Sequence, residues 1–233
     1  MADRGKFITF EGLDGSGKST QLEKLASALQ SRGLPVTVTR EPGGTEVGEK
    51  IRGILLDSAT KSLSPLAEMA LMFAARAQHV AQVIEPALAQ GHVVLCDRFT
   101  DSTEAYQGGG RKLGSERVLE LHRILCGDVQ PDVTILLDTD SSKSVQRARR
   151  RNRTTAKTHA NADEGRFEQE SRAFFGRVRA AFLEIAYREP ERVQVVNARG
   201  TPSQTHAKIM QIVVPRLGEP GKTPRTRQRV SSR

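Results

Sequence analysis

The stretch GLDGSGKS, Gly12 to Ser19, constrains this chain more than any other. It matches G-x4-G-K-[ST]. It follows the apolar run KFITFE (6–11) and precedes a pattern with Leu22, Leu25, Ala26 and Leu29 at helical spacing. A glycine-rich turn between a buried strand and a helix lets successive backbone N–H groups converge on phosphate oxygens. Lys18 is placed to reach the outer phosphates. Ser19 offers a hydroxyl to Mg²⁺, an ion that takes few protein ligands and keeps waters. The motif predicts a nucleoside triphosphate site over Gly12, Leu13, Asp14, Gly15, Ser16, Gly17, Lys18, Ser19 and Thr20. It does not say what receives the phosphoryl group.

The remaining pattern alternates strand and helix. Further short buried strands are VTVT (36–39), HVVLCD (92–97), VTILLD (133–138) and VQVV (193–196). Helices are expected over 18–32, 45–57, 114–127, 141–151 and 202–217. Another should start at Ser64–Pro65, kink at Pro86 and close at Gly91. A long helix carries Phe167, Phe174, Val178, Phe182 and Ile185 on one face, after an almost wholly polar loop at 152–165. Near-continuous apolar strands separated by helices define an α/β chain with a five-stranded parallel sheet and helices on both faces. In such sheets ligands bind at the carboxyl ends of the strands. The polar segments 11–20, 40–44 and 97–110 should therefore meet.

Composition narrows the function classes. The net charge of +9 is local: residues 147–166 contribute +5 and residues 218–233 contribute +4, so the rest is balanced. One cationic segment and a basic tail are not the charged face of a nucleic-acid grip. A nucleic-acid-dependent ATPase is thus the weaker alternative, and no specific nucleic-acid partner is expected. The two cysteines, Cys96 and Cys126, have neither metal-ligand nor CxxC spacing and read as buried thiols. No apolar leader is evident at MADRGKFITFEG and no segment is long and apolar enough to span a bilayer. A cytoplasmic protein with one domain over 1–217, a local cationic segment at about 147–166 and a disordered tail at 218–233 is expected.

The acceptor side is read from charges in unexpected places. Asp14 lies inside the phosphate loop, where a carboxylate is disfavoured unless it faces away, toward a second ligand or a metal-bound water. Arg40 and Arg98 each end a strand and can fork onto a phosphate. Arg76 falls on the apolar stripe of its helix with Met72 and Phe73, so it either snorkels out or binds something. Residues 101–107 can form a short helix with Asp101 and Glu104 as a capping box. Thr103, Tyr106 and Gln107 then share one face that suits a planar ligand.

The set FEGLDGSGKST (10–20), TREPGGT (39–45), MFAARAQH (72–79) and CDRFTDSTEAYQGGGR (96–111) resembles bacterial thymidylate kinases, collinearly over 6–217. The resemblance implies a P-loop nucleoside-monophosphate-kinase fold, transfer from ATP to dTMP with Mg²⁺, and a homodimer. Arg40 and Arg98 would hold the dTMP phosphate, and Asp14 would meet the sugar 3′-hydroxyl and the metal region. Arg76 would bond the thymine, Thr103 and Gln107 would read its polar edge, and Tyr106 would pack on the sugar. Asp97 would orient Arg98 and, with Ser19, the waters of the metal. Either Met72 or Phe73 would cover the base. One class of the family carries an arginine in the phosphate loop, where this chain has Gly15. The other supplies the charge from a mobile lid, which here implies a lid at about 147–166 with Arg149, Arg151, Arg153 and Arg166 beside Lys18, Asp14 and Arg98 as the catalytic set. The lid segment TTAKTHANADEG (154–165) is longer than usual for the family. A kinase of the same fold for another nucleotide or a deoxynucleoside is the enzymatic alternative.

Overall fold

The computed structural model describes residues 4–60, 63–140, 144–148, 150 and 165–217. Strands β1 (Phe7–Glu11), β2 (Val36–Arg40), β3 (Val93–Asp97), β4 (Val133–Asp138) and β5 (Val193–Asn197) form one parallel sheet in the order β2-β3-β1-β4-β5. β1 sits at the centre, with Ile8 in register with Leu95 on one side and Val133 on the other. Its side chains alternate. Ile8 and Phe10 pack with Leu22, Leu25 and Leu29 of α1 (Lys18–Gln30) and with Ile209 and Val213 of α8 (Pro202–Val213). Phe7 faces the other way, toward Phe73 of α3 (Pro65–His79) and Val118 of α6 (Ser115–Cys126). α7 (Arg172–Arg188) lays Phe174, Val178 and Phe182 over Leu136 on that same face. The inner strands β1, β3 and β4 are covered on both sides and are almost wholly buried, whereas the edge strands β2 and β5 expose Val38 and Val195.

Local chemistry sets the helix ends. The Thr45 hydroxyl accepts from Gly48 N at 3.0 Å and starts α2 (Glu46–Leu56). Ser64 caps α3 at Ala67 N, 3.2 Å away, with Pro65 at the first position. Thr201 and Gln204 form a reciprocal capping box on α8. The expected helix from Ser64 to about Gln90 is divided, however. α3 ends at His79, a π turn spans Val80–Ile84, and α4 covers Glu85–Ala89. The irregularity therefore precedes Pro86, which has no N–H to give and crowds the carbonyl behind it. Likewise Phe167 belongs to a separate 3₁₀ turn (Phe167–Gln169), because Ser171 caps α7 at Phe174 N.

The segment after β3 also departs from expectation. α5 (Thr100–Thr103) runs into a π segment, Glu104–Gly110. Asp101 and Glu104 do not form a capping box. Asp101 accepts from Arg192 at 2.8 and 2.9 Å, and Glu104 from Arg188 at 2.7 and 2.9 Å. Both carboxylates are buried, and a buried carboxylate is better satisfied by a bidentate guanidinium than by one backbone N–H. The glycines at 108–110 serve close packing. A Cβ on Gly109 would stand 2.7 Å from Ala181 Cβ, and one on Gly110 would stand 2.6 Å from the Phe174 ring. They let α7 lie directly on the segment that carries Tyr106 and Gln107.

Candidate active site

The phosphate loop connects β1 to α1 and needs its glycines for different reasons. Gly12 has φ +130°, and a Cβ there would stand 2.6 Å from Leu137 O. Gly15 has φ +76° and lies against the helical residues 144–148, where a Cβ would collide with Ser144 O. A side chain at position 15 would require residues 144–148 to move and the loop to hold a positive φ, which favours glycine there. Gly15, Ser16, Gly17, Lys18, Ser19 and Thr20 line a cavity with Asp14, Arg40, Asp97, Arg98 and Arg147. Gly12 and Leu13 contribute carbonyls beneath it, accepting from Lys18 Nζ at 3.0 and 3.1 Å, while the Leu13 side chain is core. Burial and the neighbouring Arg98 charge lower the Lys18 ammonium to about 8, against the pull of Asp97, Asp14 and Glu11.

Ser19 Oγ donates to Asp97 Oδ2 at 2.9 Å, and Asp97 Oδ1 is buried without a partner among the described residues. Among the described residues no group of three or more His, Cys, Asp or Glu could hold a metal. One hydroxyl and one carboxylate with an unused oxygen suit a hard cation that keeps most of its waters. The donor set fits Mg²⁺.

Arg98 is the junction. It has φ +74°, rare for a residue with a side chain and a mark of imposed conformation. Its backbone N–H donates to Phe10 O at 3.0 Å. Buried Glu11 then clamps the chain just beyond, accepting from Phe99 N at 2.7 Å and Ser102 Oγ at 2.5 Å. The guanidinium donates to Ser102 Oγ at 2.8 Å and to Asp14 Oδ1 at 2.7 Å, and it stacks 5.0 Å from the Tyr106 ring centroid. The Tyr106 hydroxyl donates to Asp14 Oδ2 at 3.0 Å. Burial pushes the Asp14 carboxyl up, but Arg98 and Lys18 outweigh it and hold it well below the usual carboxylate range. Asp14 thus faces across the cleft.

A second cavity opens beyond this junction. It shares Asp14, Glu41, Arg52 and Arg98 with the first and adds Met72, Arg76, Thr103, Tyr106, Gln107 and Glu168. Arg76 does not snorkel out: it is 2 % exposed and donates to Glu41 Oε2 at 2.7 Å and Thr103 Oγ1 at 2.9 Å. Glu41 also bonds His79 at 2.8 Å, and His79 bonds Thr39 at 2.6 Å. Among the described residues Arg76 Nη1 and Gln107 Oε1 are buried without a partner, one a donor and one an acceptor. Met72 lines this cavity. Phe73 does not: it is fully buried, with its ring centroid 4.8 Å from the Arg76 guanidinium.

Arg40 lines the phosphate cavity while paired with Glu49 at 3.0 Å. Arg166 sits elsewhere. Its guanidinium bonds Glu68 at 2.7 Å and Leu55 O at 2.5 Å, so an acid invisible to the charge pattern takes it from the phosphates. Arg149, Arg151 and Arg153, and the tail 218–233, lie outside the described residues. Sequence reasoning passed over Arg52, whose Nη1 donates to Pro42 O at 2.9 Å, and Glu168. The four-residue spacing of Arg52 and Leu56, both cavity-lining, was the available signal for the former.

A phosphate cradle at the end of β1, opening through a junction of two arginines and two carboxylates into a second polar cavity, defines a P-loop nucleoside-monophosphate kinase. The family model described as thymidylate kinase matches residues 10–209. The thymidylate kinase of Pelobacter propionicus is 48% identical over 214 residues, 91% of this chain and 96% of that protein. That of Cereibacter sphaeroides is 47% identical over 219 residues, 94% and 99% of the two chains. A crystal structure of thymidylate kinase from Ehrlichia chaffeensis superposes with a TM-score of 0.71 at 32% identity, covering 91% of this chain and 99% of that one. The chain belongs to the thymidylate kinase family.

Proposed function

We propose that the chain transfers the γ-phosphoryl group of ATP to the 5′-phosphate of dTMP, giving ADP and dTDP, the precursor of dTTP. The observation that carries this reading is the junction. Asp14, Glu41, Arg52 and Arg98 belong to both cavities, so a donor phosphate in the cradle and an acceptor phosphate at Arg98 approach one another there. The cradle N–H groups and Lys18 bind the ATP phosphates. Arg98 and Arg40 grip the acceptor phosphate, Asp14 takes the sugar 3′-hydroxyl, and Tyr106 packs on the sugar. Arg76 and Gln107, with Thr103 beside them, meet the base edge under Met72. Ser19 and Asp97 would hold Mg²⁺, which would supply neutralisation of phosphate charge. Phosphoryl transfer needs positioning and charge stabilisation more than covalent help. The lid arginines Arg149, Arg151 and Arg153 are proposed to supply that charge, together with Arg147 at the cavity wall.

A homodimer is the proposed assembly. α2 packs on α3 and α3 on α6, and these helices expose Val47, Ile54, Leu66, Ile124 and Leu125, apolar area suited to a second copy. No helix among the described residues is long and apolar enough to cross a membrane, and the cytoplasm is the expected location. A coupled assay with a panel of nucleoside monophosphates tests the reaction. dTMP should be the best acceptor, dUMP weaker and ribonucleotides poor. A preference for UMP or CMP would overturn the assignment in favour of another kinase of this fold.

A further inference from the structure

Gln107 lines the acceptor cavity, its amide oxygen has no partner among the described residues, and another side chain takes its amino group. A carboxamide can sit either way round, and its hydrogen-bond partners decide which way. Here Gln107 Nε2 donates to Glu68 Oε1 at 2.7 Å. Glu68 comes from α3, is fully buried, and also accepts from Arg111 at 3.1 Å on each oxygen and from Arg166 at 2.7 Å. Burial pushes its carboxyl up. Hydrogen bonds from Arg111 and Gln107, and the charges of Arg111 and Arg166, outweigh that and hold it below the usual carboxylate range. An ionised carboxylate is an acceptor only. It tolerates the amino face of Gln107 and repels the carbonyl face.

We infer that Glu68 is a positioning residue for base selection: by holding the Gln107 amino group it keeps the amide oxygen toward the cavity. This rests on the proposed reaction and extends it to a residue outside the cavity wall. With Gln107 presenting an acceptor and Arg76 Nη1 a donor, the wall complements a base with N–H at N3 and a carbonyl at C4. Thymine and uracil have that edge. Cytosine has the reverse, an acceptor at N3 and an amino group at C4, and would meet acceptor with acceptor and donor with donor. Glu68 is blind to the 5-methyl group, so it separates dTMP from dCMP and not dTMP from dUMP.

The test is steady-state kinetics of the full chain with dTMP, dUMP and dCMP. In Glu68→Gln the acceptor-only constraint is gone and Gln107 can turn. The dTMP-to-dCMP ratio of kcat/KM should fall by roughly 10- to 100-fold. The change should sit in KM for dTMP with kcat and KM for ATP kept, and the dTMP-to-dUMP ratio should hold. Glu68→Asp keeps the charge beside Arg111 and Arg166 and should restore most of the selectivity. An unchanged dTMP-to-dCMP ratio in both variants, or an equal loss on every acceptor, overturns the inference. A measurement on the wild-type chain stands even if a variant fails to fold. N3-methylated dTMP, lacking the N–H that Gln107 accepts, should be turned over at least about tenfold less efficiently, and equal turnover would overturn the inference. A wild-type chain inactive on dTMP overturns the reaction as well, whereas normal dTMP turnover with unchanged ratios removes this inference alone.

Discussion

Replacing Gly110 by alanine puts a methyl group where α7 already lies. The new Cβ would stand 2.6 and 2.8 Å from two atoms of the Phe174 ring and 2.9 Å from Val178 Cγ2. Carbon atoms rest at roughly 3.5–4.0 Å, so these neighbours must retreat by about 1 Å. They have little room: Phe174 is 2 % exposed and Val178 is fully buried. Phe174 is also edge-on to Phe175 and Tyr106, with ring centroids 5.6 and 6.1 Å away. Overpacking of this kind costs roughly 1–3 kcal/mol, and the better helix propensity of alanine returns at most about 1 kcal/mol. A net loss of about 1–2 kcal/mol lowers the Tm of a chain this size by roughly 2–8 °C. Displacement of Phe174 passes to Tyr106, whose hydroxyl donates to Asp14 at 3.0 Å, so KM for dTMP should rise while KM for ATP holds. Gly176 is the matched control on α7, since its Cβ would meet nothing within 4 Å. Gly176→Ala should gain up to about 1 kcal/mol. Scanning calorimetry and acceptor kinetics on the two variants decide the matter. If Gly110→Ala melts with the wild type, or Gly176→Ala loses as much, close packing is not what the glycines provide.

Two further outcomes follow from buried charge. Glu41→Ala leaves Arg76 without its ion pair, a loss of roughly 3–5 kcal/mol by urea unfolding and a weaker grip on dTMP. Burial raises the Glu41 carboxyl, but Arg76 and His79 hold it below its ordinary value of 4.5. Its contribution is therefore complete above that pH and lost as pH falls, so the stability gap between wild type and Glu41→Ala should narrow on acidification. A gap that widens would contradict the ion pair. The Lys18 ammonium, lowered to about 8 by burial and Arg98, should regain full charge against a triphosphate. Nucleotide binding at pH 8 should then take up about half a proton, read by titration calorimetry in buffers of different ionisation enthalpy. Heats that do not depend on the buffer would refute it.

What could be read from sequence divides along a physical line. The cradle was legible because its residues are contiguous and its chemistry uses the backbone. The α/β class was legible because strands covered on both faces are mostly apolar and alternate with helical patterns. Strand order was not, since nothing local says that β3 lies between β2 and β1. In the acceptor site the residues that point at ligand were legible as charges or polar groups out of place, Asp14, Arg76 and Arg98 above all. The residues that aim them were not. Glu68 reads in sequence as an acid interrupting an apolar segment, yet it is fully buried and takes Gln107, Arg111 and Arg166. That capture is also why Arg166, the last charge of a cationic run, sits away from the phosphates. Met72 and Phe73 are both apolar, so composition cannot choose between them. The rotation of about 100° per residue along α3 does, putting one on the cavity and the other in the core. The glycines at 108–110 have no positive φ to announce them, and their reason is a helix that arrives much later in the chain. Ligand-facing chemistry is visible as a local exception to pattern. The shell that orients it is assembled from tertiary partners, and a buried acid such as Glu68 sets hydrogen-bond direction from outside the cavity wall.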